Sequence, residues 1–419
     1  VETEPLIELP LFTWINEPAL KKGLVIPRAP NWRSFVSEER FDLEADENII
    51  VRLDMSIRLQ AMAGAGYGLI QDNVQAGQKL RIPHENLNLV NWERVYLDLL
   101  EYKYSKEWHN LTIQPKTPPK LMETINYELI TDEEVVNPSS FSGRILLQQA
   151  ITSILKKYLD AYYHRRRERW ETEVMEYRLL DNNDPNIALN VDRVSENKAC
   201  YIVRSSDAQL IAAVNNLLNN RDRLYKEEDQ DLQRIYFCGS LYLPILIEQT
   251  NRKLQTIPPV LNSSETQFLR DLKTFRDEEG NNFLAGKELF VLRNLSRGKG
   301  VGFFENSGFY PDFILWVLAN NKQRIVFIEP HGMMHAKAYI HDEKARLWER
   351  LIKLANEISN RSGRNDVSLD SYIISATTYP DLYMTYDNGT WCKEKFAEKH
   401  ILFPERDQNY DYMHFLFGK

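Results

Sequence analysis

Two apolar segments, FILWVL (313–318) and RIVFIE (324–329), flank the sequence Ala-Asn-Asn-Lys at residues 319–322. Asparagine adopts positive φ at low cost, so an Asn-Asn pair favours a tight turn. The pattern therefore predicts a β-hairpin that turns at Asn320–Asn321. Because both faces of each segment are apolar, we expect the hairpin to lie in the middle of a sheet that is covered on both sides.

Acidic side chains lie at the end of this hairpin. In the predicted register Asp312 is directly opposite Glu329, and directly opposed cross-strand side chains point to the same face. The two-residue period of a strand places His331 on that face as well. Two carboxylates at the edge of an apolar core repel each other unless a cation lies between them, and oxygen ligands favour Mg²⁺ or Mn²⁺. The alternative is that Asp312 ends a loop and Glu329 pairs with a surface lysine.

The elements around the hairpin predict an α/β domain with the order α-β-β-β-α-β. Ser263 or Ser264 is a suitable cap for its first helix. The predicted elements, in chain order, are a helix over 265–277, a strand over 288–293, the two hairpin strands, a helix over 342–360 and a strand over 370–377.

Pro311-Asp312, a strand and then Glu329-x-His331 resemble the motif of the PD-(D/E)xK nuclease superfamily. The sequence is more specifically similar to the nuclease region at the C-terminal end of type III restriction-enzyme helicase subunits and related DEAD/DEAH helicase–nucleases. The resemblance implies a restriction-endonuclease-like mixed sheet with flanking helices. It also implies Mg²⁺-dependent (or Mn²⁺-dependent) hydrolysis of DNA, with Asp312, Glu329 and Glu265 as metal ligands, since many members carry another acid in the first helix.

One residue departs from the family pattern: the family's lysine is His331 here. A neutral imidazole can act as a base and a protonated one can replace the cation in part, but neither is equivalent to lysine. Lys337 or Lys344 is a candidate to supply the missing charge. The resemblance thus leaves two alternatives, an active endonuclease of a restriction or antiphage defence system and a degenerate module that binds DNA and assembles a complex without cleaving it.

Several cationic side chains are candidates for DNA contacts. The first group lies near the predicted metal site and in the glycine-rich SRGKGVG loop, and comprises Lys337, Lys344, Arg346 and Lys299. The second is a stripe on a predicted long helix or helical hairpin within 140–180, and comprises Arg165, Arg166 and Arg167, which we expect to be exposed. The alternative for the SRGKGVG loop is a mobile loop without a DNA contact. The alternative for the arginine stripe is an ordinary solvated helix face. A zinc site formed by the histidines near Asp342 has weak support, because they show no metal-ligand spacing on a helix.

Upstream of the nuclease-like region, the sequence predicts a β-containing accessory region over 1–135 and a helical linking region over 136–254. The predicted nuclease-like domain covers 255–419, with QTIPPVLNSS at 255–264 as the linker. Segments at 90–111 and 235–248 resemble segments that precede the nuclease in the same helicase–nuclease family.

Composition excludes several classes of protein. The net charge of −8 argues against indiscriminate nucleic-acid binding but leaves room for a local basic groove. No apolar run approaches the roughly 18 residues of a membrane span, and the three scattered cysteines form no disulfide framework, so we expect a cytoplasmic protein. No Walker A sequence occurs, so we expect no ATP hydrolysis by this chain itself. The resemblance to helicase–nucleases then implies a superfamily 2 helicase or ATPase portion upstream or on a partner chain. The first residue is Val rather than Met, which suggests processing or a segment of a longer polypeptide.

Overall fold

The computed structural model describes residues 7–30, 32–55, 78–184, 187, 200–225, 232–248, 255–295, 310–333, 338–342, 344–406 and 410–417. The chain divides into two compact units. The C-terminal unit consists of Val1–Arg28 together with Met175–Lys419, and the N-terminal unit consists of Ala29–Val174. Helices and several sheets, parallel, antiparallel and mixed, occur in the chain, so it is an α/β protein as predicted.

Backbone pairing explains why the first residues belong to the C-terminal unit. The strand Ile7–Phe12 pairs antiparallel with Cys200–Ser205, and Val25–Arg28 pairs antiparallel with Glu176–Leu179. These partners are far apart in sequence, and no local pattern reveals them. The unit boundaries consequently fall at residues 28 and 174, whereas the sequence analysis placed domain boundaries after residues 135 and 254.

A single long helix, Phe141–Val174, forms the centre of the N-terminal unit. It buries an apolar face that includes Leu147, Ile151 and Ile154, which confirms the predicted helix within 140–180. The hydroxyl of Tyr158, from the same helix, donates to the backbone carbonyl oxygen of Glu44 at 2.8 Å. The other elements of this unit are helices Trp32–Glu38, Trp92–Ser105, Thr117–Thr124 and Glu133–Val136, the 3₁₀ helix His84–Leu89, and strands Phe41–Asp42, Ile50–Asp54, Gln78–Leu80, Leu111–Thr112 and Asn126–Thr131.

The C-terminal unit is built on a five-stranded mixed sheet, which we call the central sheet. Its first three strands are antiparallel and its last two join in parallel. In spatial order the strands are Glu288–Arg293, Phe313–Ala319, Lys322–His331, Val367–Ser375 and Ile401–Leu402.

The predicted hairpin forms the second and third strands of the central sheet. Leu318 pairs with Gln323, and the turn residues Asn320 and Asn321 have φ values of 51° and 59°. These left-handed conformations are the ones that asparagine tolerates well. The predicted turn and register are confirmed.

Both faces of the central sheet are covered. On one face the ring of Phe313 lies 5.3 Å from that of Phe268, which belongs to the helix Ser263–Glu279. The helix Leu347–Ser362 packs on the Val367–Ser375 strand. The predicted order α-β-β-β-α-β is confirmed, although the second helix begins at Leu347 rather than at residue 342, because a 3₁₀ helix and a turn precede it.

The predicted linker at 255–264 is wrong, because this segment is part of the fold. Gln255–Ile257 pairs with Cys200–Ser205, and Leu261 forms a bridge with Ile247. Backbone hydrogen bonds hold the segment in place, and its prolines end strands rather than mark a domain boundary.

The remaining elements of the C-terminal unit are short. The strands are Trp14–Ile15, Arg234–Ile235, Tyr242–Leu243 and Ile245–Leu246. The helices are Glu17–Leu20, Ala208–Asn219, Tyr379–Thr385, Lys393–Glu398 and Tyr412–Phe417, with 3₁₀ helices Arg221–Tyr225, Tyr339–His341 and Tyr386–Gly389. Across the described ranges of both units, no helix has the length and apolar character that a membrane crossing requires.

Candidate functional site

Three carboxylates gather at one end of the central sheet. The hairpin register pairs Phe313 with Ile328, so the next pair outward is Asp312 and Glu329. Burial, followed by the negative charges of Glu329 and Glu265, raises the pKa of Asp312 to about 8. Such a shift requires that the three side chains lie close together in a poorly solvated place.

Asn294 fixes the position of Asp312. This residue follows the first strand of the central sheet and is buried. Its side-chain amide donates to the carbonyl oxygen of Pro311 at 2.8 Å, and its backbone N–H donates to the carbonyl oxygen of Asp312 at 2.8 Å. The Pro-Asp segment is therefore attached to the neighbouring strand at both residues.

Replacement of Asn294 by alanine is expected to lower the free energy of unfolding by about 1–3 kcal/mol, since it leaves the Pro311 carbonyl without its buried donor. The measurement is urea denaturation of the wild-type and Asn294→Ala chains. A difference below about 0.5 kcal/mol, the size usual for surface substitutions, would contradict this role.

Glu329 lies in the third strand of the central sheet and is only 6% exposed. Its Oε1 accepts from the Lys344 ammonium at 2.7 Å. Its Oε2 is buried and has no hydrogen-bond partner within the described ranges. An unpartnered buried carboxylate oxygen is costly, and a bound cation would satisfy it.

Glu265 has a structural role in addition to its charge. Its carboxylate accepts from the Asn262 backbone N–H at 2.7 Å, and its own N–H donates to the Asn262 side chain at 2.9 Å. This reciprocal arrangement is a capping box. The predicted cap by Ser263 or Ser264 is therefore wrong, because both serines lie inside the first turn and Asn262 provides the acceptor.

His331 ends the third strand, two residues beyond Glu329, so both side chains belong to the same face. Its Nδ1 is buried and has no partner in the described part of the chain. Pro330 lies between Glu329 and His331, and its carbonyl oxygen accepts from the Ser264 hydroxyl at 3.2 Å. The helix Ser263–Glu279 therefore contacts the backbone at the end of this strand.

Arg293 is a site residue that the sequence analysis missed. It ends the first strand of the central sheet, is 8% exposed and donates to the carbonyl oxygens of Pro259 and Val260. Together with Lys344 it lowers the pKa of Asp312, against the larger effects that raise it. The signal in the sequence was an arginine at the end of the otherwise apolar strand ELFVLR.

The donor set fits a divalent cation at two carboxylates. Within the described ranges, no cluster of three or more His, Cys, Asp or Glu side chains has a metal-binding arrangement. The pair Asp312 and Glu329 nevertheless combines an unpartnered buried oxygen with mutual repulsion, which a cation would relieve. The zinc alternative gains no support, since Asp342 accepts from the Ala345 N–H and His335 lies outside the described residues.

The predicted DNA contacts near the site have mixed outcomes. Lys344 contacts the site directly, through Glu329. The Arg346 guanidinium pairs with Glu349, in the helix that begins at the next residue, at 3.2 Å. Lys337 and Lys299 lie outside the described residues.

The cationic stripe on the long helix is partly buried rather than exposed, which corrects the prediction. Each arginine contacts a neighbour in the N-terminal unit: Arg165 lies 2.9 Å from the Asp46 carboxylate, Arg166 lies 5.1 Å from the Phe41 ring centre, and Arg167 lies 2.8 Å from the Glu171 carboxylate. The long side chains of these arginines lie against neighbouring residues of the unit, which covers part of each side chain. Their DNA-contact role stays a prediction.

Comparisons with known proteins add no family to this picture: no family model, curated protein or solved structure matches the chain.

Proposed function

We propose that the C-terminal unit is the metal-dependent DNA endonuclease module of a helicase–nuclease restriction or antiphage defence system. One observation supports this most. Asp312 and Glu329 lie just beyond the last hairpin pair, Phe313 and Ile328, and burial together with the charges of Glu329 and Glu265 raises the pKa of Asp312 to about 8. The motif implies a restriction-endonuclease-like fold, and a mixed sheet with flanking helices and acids at the end of its central strands supports the proposal.

Each side chain of the site would have a separate role in hydrolysis. Asp312 and Glu329 would hold Mg²⁺ or Mn²⁺, and Glu265 would contribute through the oxygen that is not bonded to Asn262. When bound, the ion would supply an acidified water and a counter-charge for the phosphate under attack. Lys344 orients Glu329 through its ion pair and brings a positive charge to the site, as the family's lysine does.

A degenerate, non-cleaving module that binds DNA and assembles a complex is the second candidate. A specific observation favours it: the Lys344 ammonium already neutralises Glu329 at 2.7 Å, in the manner of a structural ion pair. His331 in place of the family's lysine points in the same direction. In either case the motor would be a superfamily 2 helicase, upstream or in trans.

Purified chain is expected to nick or linearise supercoiled plasmid DNA in Mg²⁺ or Mn²⁺ and to leave it intact in EDTA. The His331→Lys variant, which restores the family residue, should cleave as fast as the wild type or faster. The measurement is the rate of loss of supercoiled DNA on agarose gels, with and without ATP.

Absence of metal-dependent cleavage by both proteins would contradict the endonuclease proposal. DNA binding in a gel-shift assay under the same conditions would then support the degenerate module. Cleavage by His331→Lys alone would show a site that is intact apart from its missing lysine.

A further inference from the structure

A surface groove lies in the N-terminal unit, between the helix Trp92–Ser105 and the first half of the helix Phe141–Val174. Its volume is about 790 Å³. All of its lining residues belong to this unit, and the nuclease-like site does not share any of them. The groove is therefore an independent feature of the molecule.

Apolar side chains that face solvent line part of the groove. Phe141 is 78% exposed, Ile145 is 45% exposed and Leu89 is 41% exposed. Phe141 and Ile145 are four residues apart on one helix, so their side chains lie one turn apart on the same face. Exposed apolar side chains that cluster in a concave surface are typical of a binding site.

The charges of the groove are unbalanced. The Arg144 guanidinium has no hydrogen bond or ion pair among the described residues, and the Lys156 ammonium has no ion pair there and lies over the Tyr102 ring at 5.4 Å. The acid that lines the groove, Asp98, is already paired with Arg94 at 3.1 Å. The groove thus presents two positive charges beside an apolar surface.

We propose that this groove binds an acidic peptide segment of a protein partner. Apolar side chains of the segment contact Leu89, Phe141 and Ile145, and its carboxylates reach Arg144 and Lys156. The two cations are 12 residues apart on one helix, which corresponds to about 18 Å. A helical segment of about 12 residues spans that distance, as does an extended one of about six.

The composition of the groove favours a peptide over nucleic acid. Phe141 is the single aromatic ring among the described residues that line the groove, and Leu89 and Ile145 are aliphatic, whereas single-strand binding surfaces stack successive bases on several aromatic side chains. Two separated cations also form a smaller positive surface than the phosphate-binding tracks of DNA-binding proteins. Apolar anchors with flanking charges are typical of peptide-binding grooves.

The test begins with selection of a displayed library of random 15-residue peptides on the full chain. Enriched sequences are expected to combine two or three large apolar residues with at least two Asp or Glu. A labelled peptide of the enriched type should then bind the wild type at least tenfold more tightly than the variant that carries Arg144→Glu and Lys156→Glu. The Ile145→Asp variant should lose binding to a similar extent, by fluorescence polarisation.

Lys120→Glu is the matched control, because Lys120 is an exposed cation of the same unit that does not line the groove. It should bind the peptide within twofold of the wild type. Equal thermal unfolding temperatures show that the variants are folded. No enrichment, enrichment without acidic residues, or equal binding by the double variant would overturn the proposal, and so would a 20-nucleotide DNA that binds through Arg144 and Lys156 when no peptide does.

Discussion

The Asp312→Asn chain is expected to cleave DNA at least about 100-fold more slowly than the wild type in Mg²⁺, since metal-ion catalysis is worth several kcal/mol. The amide keeps the shape of the carboxylate but removes the charge that would hold the cation opposite Glu329. The backbone bonds from Asn294 involve the carbonyl oxygens of residues 311 and 312, so they survive the substitution. Rates of plasmid cleavage at saturating Mg²⁺ give the comparison.

Asp277→Asn is the matched control for that experiment. Its side chain is 61% exposed on the helix Ser263–Glu279, and its contact with Arg276 is a long 3.9 Å. It should cleave at the wild-type rate. Wild-type rates in Asp312→Asn, with Mg²⁺ binding unchanged, would contradict the assignment of Asp312 as a ligand and remove the main support for the proposed activity.

The hairpin could be predicted because all of its determinants are local. Asn320 and Asn321 fix the turn, and the apolar strands on either side fix the faces. Register follows from the turn by counting, so the proximity of Asp312 to Glu329, one position beyond the last pair of the hairpin, followed from the sequence alone. The same applies to the long helix Phe141–Val174, whose apolar residues recur at helical spacing.

Features that depend on distant contacts could not be predicted. Nothing in the sequence near Asn294 indicates that its amide holds Pro311, and Arg293 contacts carbonyl oxygens of a segment over 30 residues upstream. The segment 255–264 has the composition of a linker, but pairing with the Cys200–Ser205 strand makes it part of the fold. The composition of a segment indicates which backbone conformations it can adopt. Its hydrogen bonds with distant segments determine where it lies in the fold.

The cationic stripe shows the same limit for charge patterns. HRRRER suggests an exposed basic surface, yet the three arginines contact two carboxylates and a ring of their own unit. Glu171 is a local partner of Arg167, but Asp46 and Phe41 belong to a distant segment of the chain, so local charge density does not reveal the contacts of Arg165 and Arg166. In contrast, no local pattern marks Arg144 as a binding residue, because a single arginine on a helix is common.

Metal-free wild-type protein is expected to lose stability, relative to Asp312→Asn, as the pH rises from about 4 to about 8. The pKa of Asp312 rises from its ordinary value of 3.8 to about 8 in the folded chain. Between these values the folded state binds more protons than the unfolded state, so the free energy of unfolding falls with increasing pH. The contribution is fully present below pH 4 and is lost above pH 8.

The expected size of this difference is about 2–4 kcal/mol, less than the full shift implies, since Asp312 is partly exposed. Urea denaturation in EDTA at pH 5, 6, 7, 8 and 9 measures it. Titrations remote from the site are common to the two proteins and cancel, so the difference reports Asp312 together with the carboxylates that interact with it. Mg²⁺ at about 100 times its dissociation constant should restore about 2.7 kcal/mol to the wild type at pH 8 and much less to Asp312→Asn. If the free energies of unfolding of the two proteins in EDTA change in parallel with pH, the neighbouring carboxylates do not raise the pKa of Asp312. If Mg²⁺ stabilises both proteins equally, the cation binds elsewhere.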